Sequence, residues 1–243
     1  MQSDYNSGIL PPPDDLMGFA MWEYVHGRRR DIVTWTSLTP PEIFRTAYLF
    51  RSYDEMPLHE QKALQSARGR ILDIGAGSGV HSLWLQQRGK DVTALERSPY
   101  AVKTMQKRGV KHIIHQDFFR FHPSRPYDTV LLLMNGAGIM GSLQNAPSFF
   151  RRLHDITAPR GKILVHMSDI SYVYYAYNRP LPLNRYYGEV IFYWKYGQVC
   201  GNPFPWIYFD RYTFAREAAR FGFIARLMHE DGGGDVLVEM MKK

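Results

Sequence analysis

The chain has 243 residues, a formal net charge of +7 at pH 7 and 45% hydrophobic residues, which is enough for one sizeable core. It contains no apolar run near the ~20 residues that a membrane-spanning helix needs, and its first residues lack the basic and apolar regions of a signal peptide. The single cysteine cannot form an internal disulfide, so together with these absences the expected location is the cytoplasm. Because no apolar run is long enough, no membrane partner is expected.

The positive net charge of the chain raises the question of whether its partner is a nucleic acid. The densest basic run is the short GRRRD segment at residues 27–31, and no Lys/Arg-rich tail is present. Basic residues scattered over a solvated surface account for the charge equally well. Nucleic acid is therefore a possible partner that the charge does not favour.

Residues 1–69 are expected to form an N-terminal helical cap. The LPPPDDL stretch predicts an extended lead-in. Residues 40–69 predict two helical pieces, because Pro57 interrupts the pattern and Gly69 suits a helix end.

Residues 70–169 alternate short apolar strands with helices. The predicted strands are RILDI, DVTALE, HIIHQD, YDTVLLLM and GKILVHM. One helix starts at Val80, a second at Pro99 with Ser98 as its N-cap, and a third near Pro147. Alternation at these lengths predicts an α/β fold with a parallel, doubly wound sheet.

Residues 170–210 interrupt this alternation with an aromatic segment. Fifteen aromatic side chains fall between Tyr172 and Tyr212, and two stretches there predict antiparallel strands, GEVIFYWKYG and WIYFD. We expect a cap insertion that covers an apolar or aromatic molecule, although cross-strand aromatic pairs and base stacking are other uses of such residues. Residues 211–243 predict a helix and a β-hairpin that complete the core.

The turn after the first core strand carries three glycines, at positions 75, 77 and 79. Bare backbone at the carboxyl end of a parallel strand favours close approach of a ligand. A dinucleotide fingerprint needs glycine where Val80 stands, which disfavours a dehydrogenase. Glu96, at the end of the next strand, offers a carboxylate that suits a ribose with free hydroxyls, and this spacing alone does not separate NAD from another nucleoside. Asp117 and Phe118 follow the third core strand.

These residues together resemble the class I S-adenosylmethionine-dependent methyltransferases. The DIGAGSG stretch resembles motif I of that family, Glu96 matches its ribose-binding carboxylate, and Asp117 with Phe118 matches its adenine-binding pair. Asn135 matches the loop beside the transferable methyl group. The resemblance implies a Rossmann-like seven-stranded sheet, mostly parallel with an antiparallel last strand and an α/β cap, and S-adenosyl-L-methionine as methyl donor. The implied cofactor-binding residues are Asp73, Gly75, Ala76, Gly77, Gly79, Glu96, Arg97, Asp117, Phe118 and Asn135.

The flanks resemble small prokaryotic methyltransferases whose substrate is undefined. In the segment before motif I, Arg51 and Tyr53 either reach the methionyl end of the cofactor or pack the cap.

Methyl transfer is an in-line displacement that an enzyme promotes by alignment and desolvation, with a base only where the acceptor holds its proton tightly. The candidates for this catalytic role are His166 and Asp169, at the end of the fifth core strand. A histidine packed along a strand and an aspartate that caps a turn are the structural alternatives. No metal site is expected, and Asn135 lacks the Pro-Pro-aromatic continuation typical of adenine methyltransferases.

The sequence therefore predicts an enzyme that methylates a small or medium-sized, apolar or aromatic acceptor on oxygen or nitrogen. A nucleic acid methyltransferase is the first alternative, and a non-catalytic S-adenosylmethionine-binding protein is the second. The sequence names neither the acceptor nor the oligomeric state.

Overall fold

The computed structural model describes residues 10–243, and the structural statements below concern these residues. The first nine residues of the predicted N-terminal cap lie outside them. The helices are α1 (Leu16–Val25), α2 (Leu58–Ser66), α3 (Val80–Gln87), α4 (Pro99–Arg108), α5 (Ala146–Ile156), α6 (Ser171–Ala176) and α7 (Arg211–Arg220). The strands are β1 (Ile32–Thr36), β2 (Glu42–Phe44), β3 (Arg70–Ile74), β4 (Asp91–Glu96), β5 (Ile113–His115), β6 (Tyr127–Leu132), β7 (Thr157–Ser168), β8 (Glu189–Tyr196), β9 (Val199–Cys200), β10 (Phe204–Ile207), β11 (Phe223–Glu230) and β12 (Asp235–Lys242).

The larger sheet has seven strands in the order β11-β12-β7-β6-β3-β4-β5. Strands β3 to β7 pair in parallel, and β12 pairs antiparallel with both β7 and β11. The chain runs outward from β3 to β5 and then crosses to β6 on the other side of β3. Ligands bind at such a switch point, in the crevice beyond the carboxyl ends of the strands.

Core side chains alternate between the two faces of this sheet. Leu72 packs in a cluster with the phenylalanines of α5 and α7, whereas its neighbour Ile71 packs in a second cluster with Leu64 of α2 and Leu85 of α3. This alternation follows from the two-residue period of a strand, and it places helices on both faces of a buried parallel sheet.

The smaller sheet is antiparallel and has the order β10-β8-β1-β2, with β9 paired to β8. Its strands come from both predicted cap segments, since Val33 of β1 pairs with Lys195 of β8. The sheet packs against the core through close contacts: a methyl group on Gly138, after β6, would collide with the Trp206 ring of β10. We refer to this sheet, together with α6, as the cap.

Two expectations for the cap were wrong in detail. The N-terminal segment, expected to be helical, contains β1 and β2, and residues 42–44 lie in a strand because Ile43 pairs with Val33. The strand expected at residues 206–210 lies at Phe204–Ile207 instead. Cross-strand pairing determines both structures, since β2 pairs with β1 and β10 pairs with β8, and residue propensity alone does not show which residues pair.

Every helix within residues 10–243 is too short or too polar to cross a membrane.

Candidate functional site

The glycine loop between β3 and α3 has the backbone that only glycine adopts easily. Gly75, Gly77 and Gly79 have φ values of 68°, 55° and 80°. A Cβ built on Gly75 meets no atom within 4 Å, so the space in front of this residue is open. Backbone amides of Gly75 and Ala76 donate to the Leu95 carbonyl, at 2.8 and 3.3 Å, and hold the loop against the end of β4.

Glu96, the last residue of β4, faces this loop. Its Oε2 accepts a hydrogen bond from the Gly77 amide at 2.9 Å, and its Oε1 accepts one from the Ser98 amide at 2.8 Å. The carboxylate is buried, and burial raises its pKa above the ordinary range, with the two amides opposing the shift. The structure thus places Glu96 beside the glycine loop, as its position in the sequence predicts.

Asp73 lies in β3 and is only 2% exposed. The Ser82 hydroxyl of α3 donates to its Oδ2 at 2.7 Å, so Asp73 ties the strand before the loop to the helix after it. Burial raises the pKa of this carboxyl as well. Asp73 therefore stabilises the conformation of the glycine loop through the two elements that flank it.

The remaining predicted cofactor residues lie along the same edge of the sheet. The Asp117 side chain accepts a hydrogen bond from the Phe119 amide at 2.8 Å and so caps the turn that follows β5. Phe118 is buried, packs edge-on against Phe119 and contacts Phe149 of α5 with tilted ring planes. The Arg97 side chain is exposed.

A chain of polar groups follows the ends of β6 and β7. The Asn135 amide N–H donates to His166 Nδ1 at 3.0 Å, and Asn135 Nδ2 donates to Ser168 Oγ at 3.0 Å. Ser168 Oγ in turn donates to Asp235 at the start of β12. Asn135 has a left-handed backbone, with φ 58°, which is uncommon outside glycine and typical of constrained sites.

These contacts assign the tautomer of His166. A backbone N–H only donates, so Nδ1 accepts and the proton of the neutral imidazole lies on Nε2. Nε2 is 3.4 Å from Asp235 Oδ1. The nearby imidazole and the Ser168 hydroxyl lower the pKa of Asp235 to about 2. His166 Nδ1, the nitrogen that could accept a proton, is therefore occupied by the hydrogen bond from the Asn135 amide.

His59 of α2 belongs to this group, and the sequence analysis missed it. Its ring stacks on His166 with centroids 3.9 Å apart and planes 6° from parallel. Burial, and then the neighbouring His166, lower the pKa of His59 to about 4. Donor atoms of His59, His166 and Asp235 lie within 4.8 Å of one another, as in a metal site. Because nitrogen lone pairs lie in the ring plane, one ion cannot lie in the planes of two stacked rings, so ligation would need a ring to rotate.

Asp169, the second predicted catalytic residue, is engaged in the cap. Its Oδ1 accepts hydrogen bonds at 2.8 Å from the Ser171 amide and from the Tyr187 hydroxyl. Tyr186 and Tyr187 also bond to Asp210, which caps α7. Asp169 thus connects β7, α6 and the segment before β8.

A second buried polar group joins Arg51 to Glu60 of α2 and His81 of α3, and of these the sequence indicated Arg51 alone. The Arg51 guanidinium donates to Glu60 Oε1 at 2.6 Å, and His81 Nε2 lies 2.8 Å from Glu60 Oε2. The side-chain hydrogen bonds and charges of His81 and Arg51 lower the pKa of Glu60 to about 2 despite burial. Arg51 is therefore held against α2, and Tyr53 stacks on Trp84 of α3 with ring centroids 4.5 Å apart.

A cavity of about 340 Å³ opens between the cap and the carboxyl edge of the core sheet. Asn135, Ser168 and Asp235 contribute its core side. Its other lining residues are Thr34, Trp35, Thr36, Leu38, Thr39, Glu42, Ile170, Tyr172, Val173, Val190, Phe192, Tyr208 and Gly233. This volume suits a small organic molecule. Asn135 borders the cavity and follows the strand next to the glycine loop, so the arrangement can hold two ligands side by side.

Comparisons with known proteins show the family to which this chain belongs. A family model described as a methyltransferase domain matches residues 43–225. An S-adenosylmethionine-dependent methyltransferase from Bacteroides fragilis, solved in complex with S-adenosyl-L-homocysteine, is 36% identical with a TM-score of 0.86, over 96% of this chain and 97% of that one.

Two further matches are weaker, one in sequence identity and the other in the length it covers. An amino pentose methyltransferase from Micromonospora echinaspora, involved in calicheamicin biosynthesis, is 15% identical over 82% of this chain and 98% of that chain, with a TM-score of 0.56, which shows a similar fold. A tRNA1(Val) (adenine(37)-N6)-methyltransferase from Aliivibrio salmonicida is 37% identical over 70 residues, which are 25% of this chain. This match spans only 30% of that enzyme. The chain belongs to the methyltransferase domain family and is a class I S-adenosylmethionine-dependent methyltransferase, which confirms the fold, the enzyme class and the methyl donor expected from the sequence.

Proposed function

We propose that this enzyme methylates a small or medium-sized organic molecule held in the cavity between the cap and the core sheet. The observation that carries the proposal is the position of Asn135, which borders the cavity and comes from the loop after β6. The cavity walls include aromatic and aliphatic side chains such as Trp35, Phe192 and Val190, which suit an apolar or aromatic skeleton.

The residues at the glycine loop fit the methyl donor. The open space at Gly75 leaves room for a ligand against the backbone, and the buried Glu96 carboxylate offers acceptors to ribose hydroxyls. The loop has no lysine or arginine, as expected for a ligand without phosphate. When bound, S-adenosyl-L-methionine supplies a methyl group activated by a positively charged sulfur.

His166 and Asp169 are better suited to positioning than to proton transfer. The acceptor nitrogen of His166 is used by the Asn135 amide, so the imidazole fixes the loop that borders the cavity. Asp169 is bonded to the Tyr187 hydroxyl and is not among the cavity-lining residues. The enzyme then works chiefly by alignment and by excluding water.

RNA methylation is the second candidate, because of the 70-residue similarity to a tRNA methyltransferase and the net charge of +7. The cavity argues against it. Among the residues that line it, within the described part of the chain, there is no lysine or arginine to hold a phosphate, whereas Glu42 and Asp235 are acidic.

The test follows labelled methyl groups from S-adenosylmethionine into a set of small aromatic amines, alcohols and acids, and into tRNA. The cavity is blocked by Gly233→Phe, a change in an exposed turn at its rim. We expect label in a small molecule, loss of that label in the variant, and S-adenosylhomocysteine binding within about twofold of wild type by calorimetry. Label in tRNA alone, in the wild type and the variant alike, would overturn the proposal.

Glu96→Ala tests the methyl-donor site separately. Loss of hydrogen bonds to a charged acceptor should weaken S-adenosylhomocysteine binding by ~1.5–3 kcal/mol. Unchanged affinity would remove Glu96 from the site.

A further inference from the structure

We propose that the acceptor is an amine, bound in the cavity as a cation by the carboxylates of Glu42 and Asp235. This inference rests on the proposed function and narrows it from an organic molecule methylated on oxygen or nitrogen to an amine methylated on nitrogen.

The first argument is the charge of the cavity. Glu42 comes from β2 in the cap and Asp235 from β12 in the core, so the two carboxylates approach from opposite walls. No lysine or arginine stands among the lining residues, within residues 10–243, although the whole chain carries a net charge of +7. A cavity whose ionised groups are both acidic attracts cations and disfavours carboxylates and phosphates.

The second argument is that Asp235 keeps its charge without a cationic partner. His166 lies 3.4 Å away but is the neutral Nε2–H tautomer, since the Asn135 amide occupies Nδ1. Ser168 contributes a neutral hydroxyl. The Ser168 hydroxyl therefore holds the carboxylate in place, and no lysine or arginine within residues 10–243 forms an ion pair with it. An ammonium group of a ligand supplies the missing countercharge.

The third argument concerns the aromatic walls of the cavity and one hydrogen-bond acceptor atom, Asn135 Oδ1, that has no donor within the described residues. Trp35, Phe192 and Tyr208 line the cavity, and aromatic rings favour cations. The Ser168 hydroxyl has one proton, which it donates to Asp235, so it accepts from Asn135 Nδ2. Asn135 Oδ1 is left buried without a hydrogen-bond partner among the described residues. An N–H of the acceptor is the kind of donor that would satisfy it.

The reaction balances without another reactant. The bound ammonium loses one proton to water at the open side of the cavity, where Glu42 and Tyr172 are exposed. The freed nitrogen lone pair forms the bond to the methyl carbon, and the carbon–sulfur bond breaks with its electron pair left on sulfur. The positive charge moves from sulfur to the methylated amine, which remains beside the two carboxylates.

The test compares three molecules with one skeleton: phenethylamine, 2-phenylethanol and 3-phenylpropionate. Each is titrated by calorimetry into protein saturated with S-adenosylhomocysteine. We expect phenethylamine to bind at least 10-fold more tightly than the alcohol or the acid. Glu42→Gln and Asp235→Asn should each weaken the amine about 5- to 10-fold, or about 1–1.4 kcal/mol, with little effect on the alcohol. Asp91→Asn, an exposed charge at the start of β4, is the matched control and should change nothing.

Results from the binding assay and from the labelling assay can overturn the inference. In the binding assay, an acid or alcohol that binds as tightly as the amine contradicts it, as does an amine that does not bind. Amine affinity that is unchanged in both carboxylate variants contradicts it as well. If label from S-adenosylmethionine enters small alcohols or acids and no amines, this inference fails and the proposed function stands. If label enters tRNA alone, both fail.

Discussion

The stacked imidazole of His59 makes the stability of the enzyme depend on pH between its folded and unfolded pKa values. Burial and the neighbouring His166 lower the pKa of His59 to about 4, from an ordinary value of 6.5. Between these two values the unfolded chain binds a proton that the folded chain does not. The free energy of unfolding therefore falls as the pH falls. For one group with these two pKa values, the loss from pH 7 to pH 5 is about 2 kcal/mol.

Urea denaturation at pH 7 and pH 5 measures this loss, in wild type and in two variants. His59→Gln removes both titration and stacking, whereas His59→Phe keeps an aromatic ring against His166. Both variants should lose about 2 kcal/mol less than wild type over this range. The carboxyls of Glu60 and Asp235, with pKa values of about 2, lower stability only at more acid pH. Parallel pH profiles for the wild type and both variants would refute the reasoning.

The other predictions concern the buried ion pair and two glycines, one in the glycine loop and one after α3. Glu60→Gln leaves the Arg51 guanidinium buried without a countercharge and should destabilise the protein by about 3–5 kcal/mol in urea denaturation; a loss under about 1 kcal/mol would show that water reaches the site. Gly89→Ala should cost about 1 kcal/mol, because φ is 70° and the new methyl group meets no neighbour. Gly79→Ala should cost clearly more in the same assay, because its Cβ would lie 2.9 Å from Met105 Cγ. Equal losses at the two glycines would contradict this close contact.

The core of the fold was predictable because its signals are local. The strand-turn-helix alternation of residues 70–169 predicts the parallel sheet, and Gly75 to Gly79 mark the turn at its switch point. The cap sheet was not predictable in this way. Thr34 and Trp35 of β1 pair with Trp194 and Tyr193 of β8, and no local pattern in residues 32–44 indicates a partner so far along the chain.

In the candidate site, too, residues with a local signal were predictable and residues brought together from distant segments were not. Glu96 ends β4, which pairs in parallel with β3, so its carboxylate lies beside the turn that follows β3 and accepts the Gly77 amide. The roles of the cofactor-binding residues stay predictions. The group around His166 was missed because His59, His166 and Asp235 come from three distant segments. One signal was available: Asp235 follows the glycine-rich turn before the last strand, and the antiparallel register places it opposite Ser168.

The cap sheet joins strands from two segments of the chain that lie on either side of the core in sequence, and this affects how the protein folds. Strands β1 and β8 pair across roughly 160 positions of sequence, so closing this pair directly would cost a large loop entropy. The core sheet lies between them in the chain, and once it has formed, the effective loop between the two strands is much shorter. We therefore expect the core to fold first and the cap to dock afterwards, so the walls of the acceptor cavity meet in a late step. Urea-jump refolding followed by the fluorescence of Trp35, Trp194 and Trp206 would then contain a slower phase than the formation of the core.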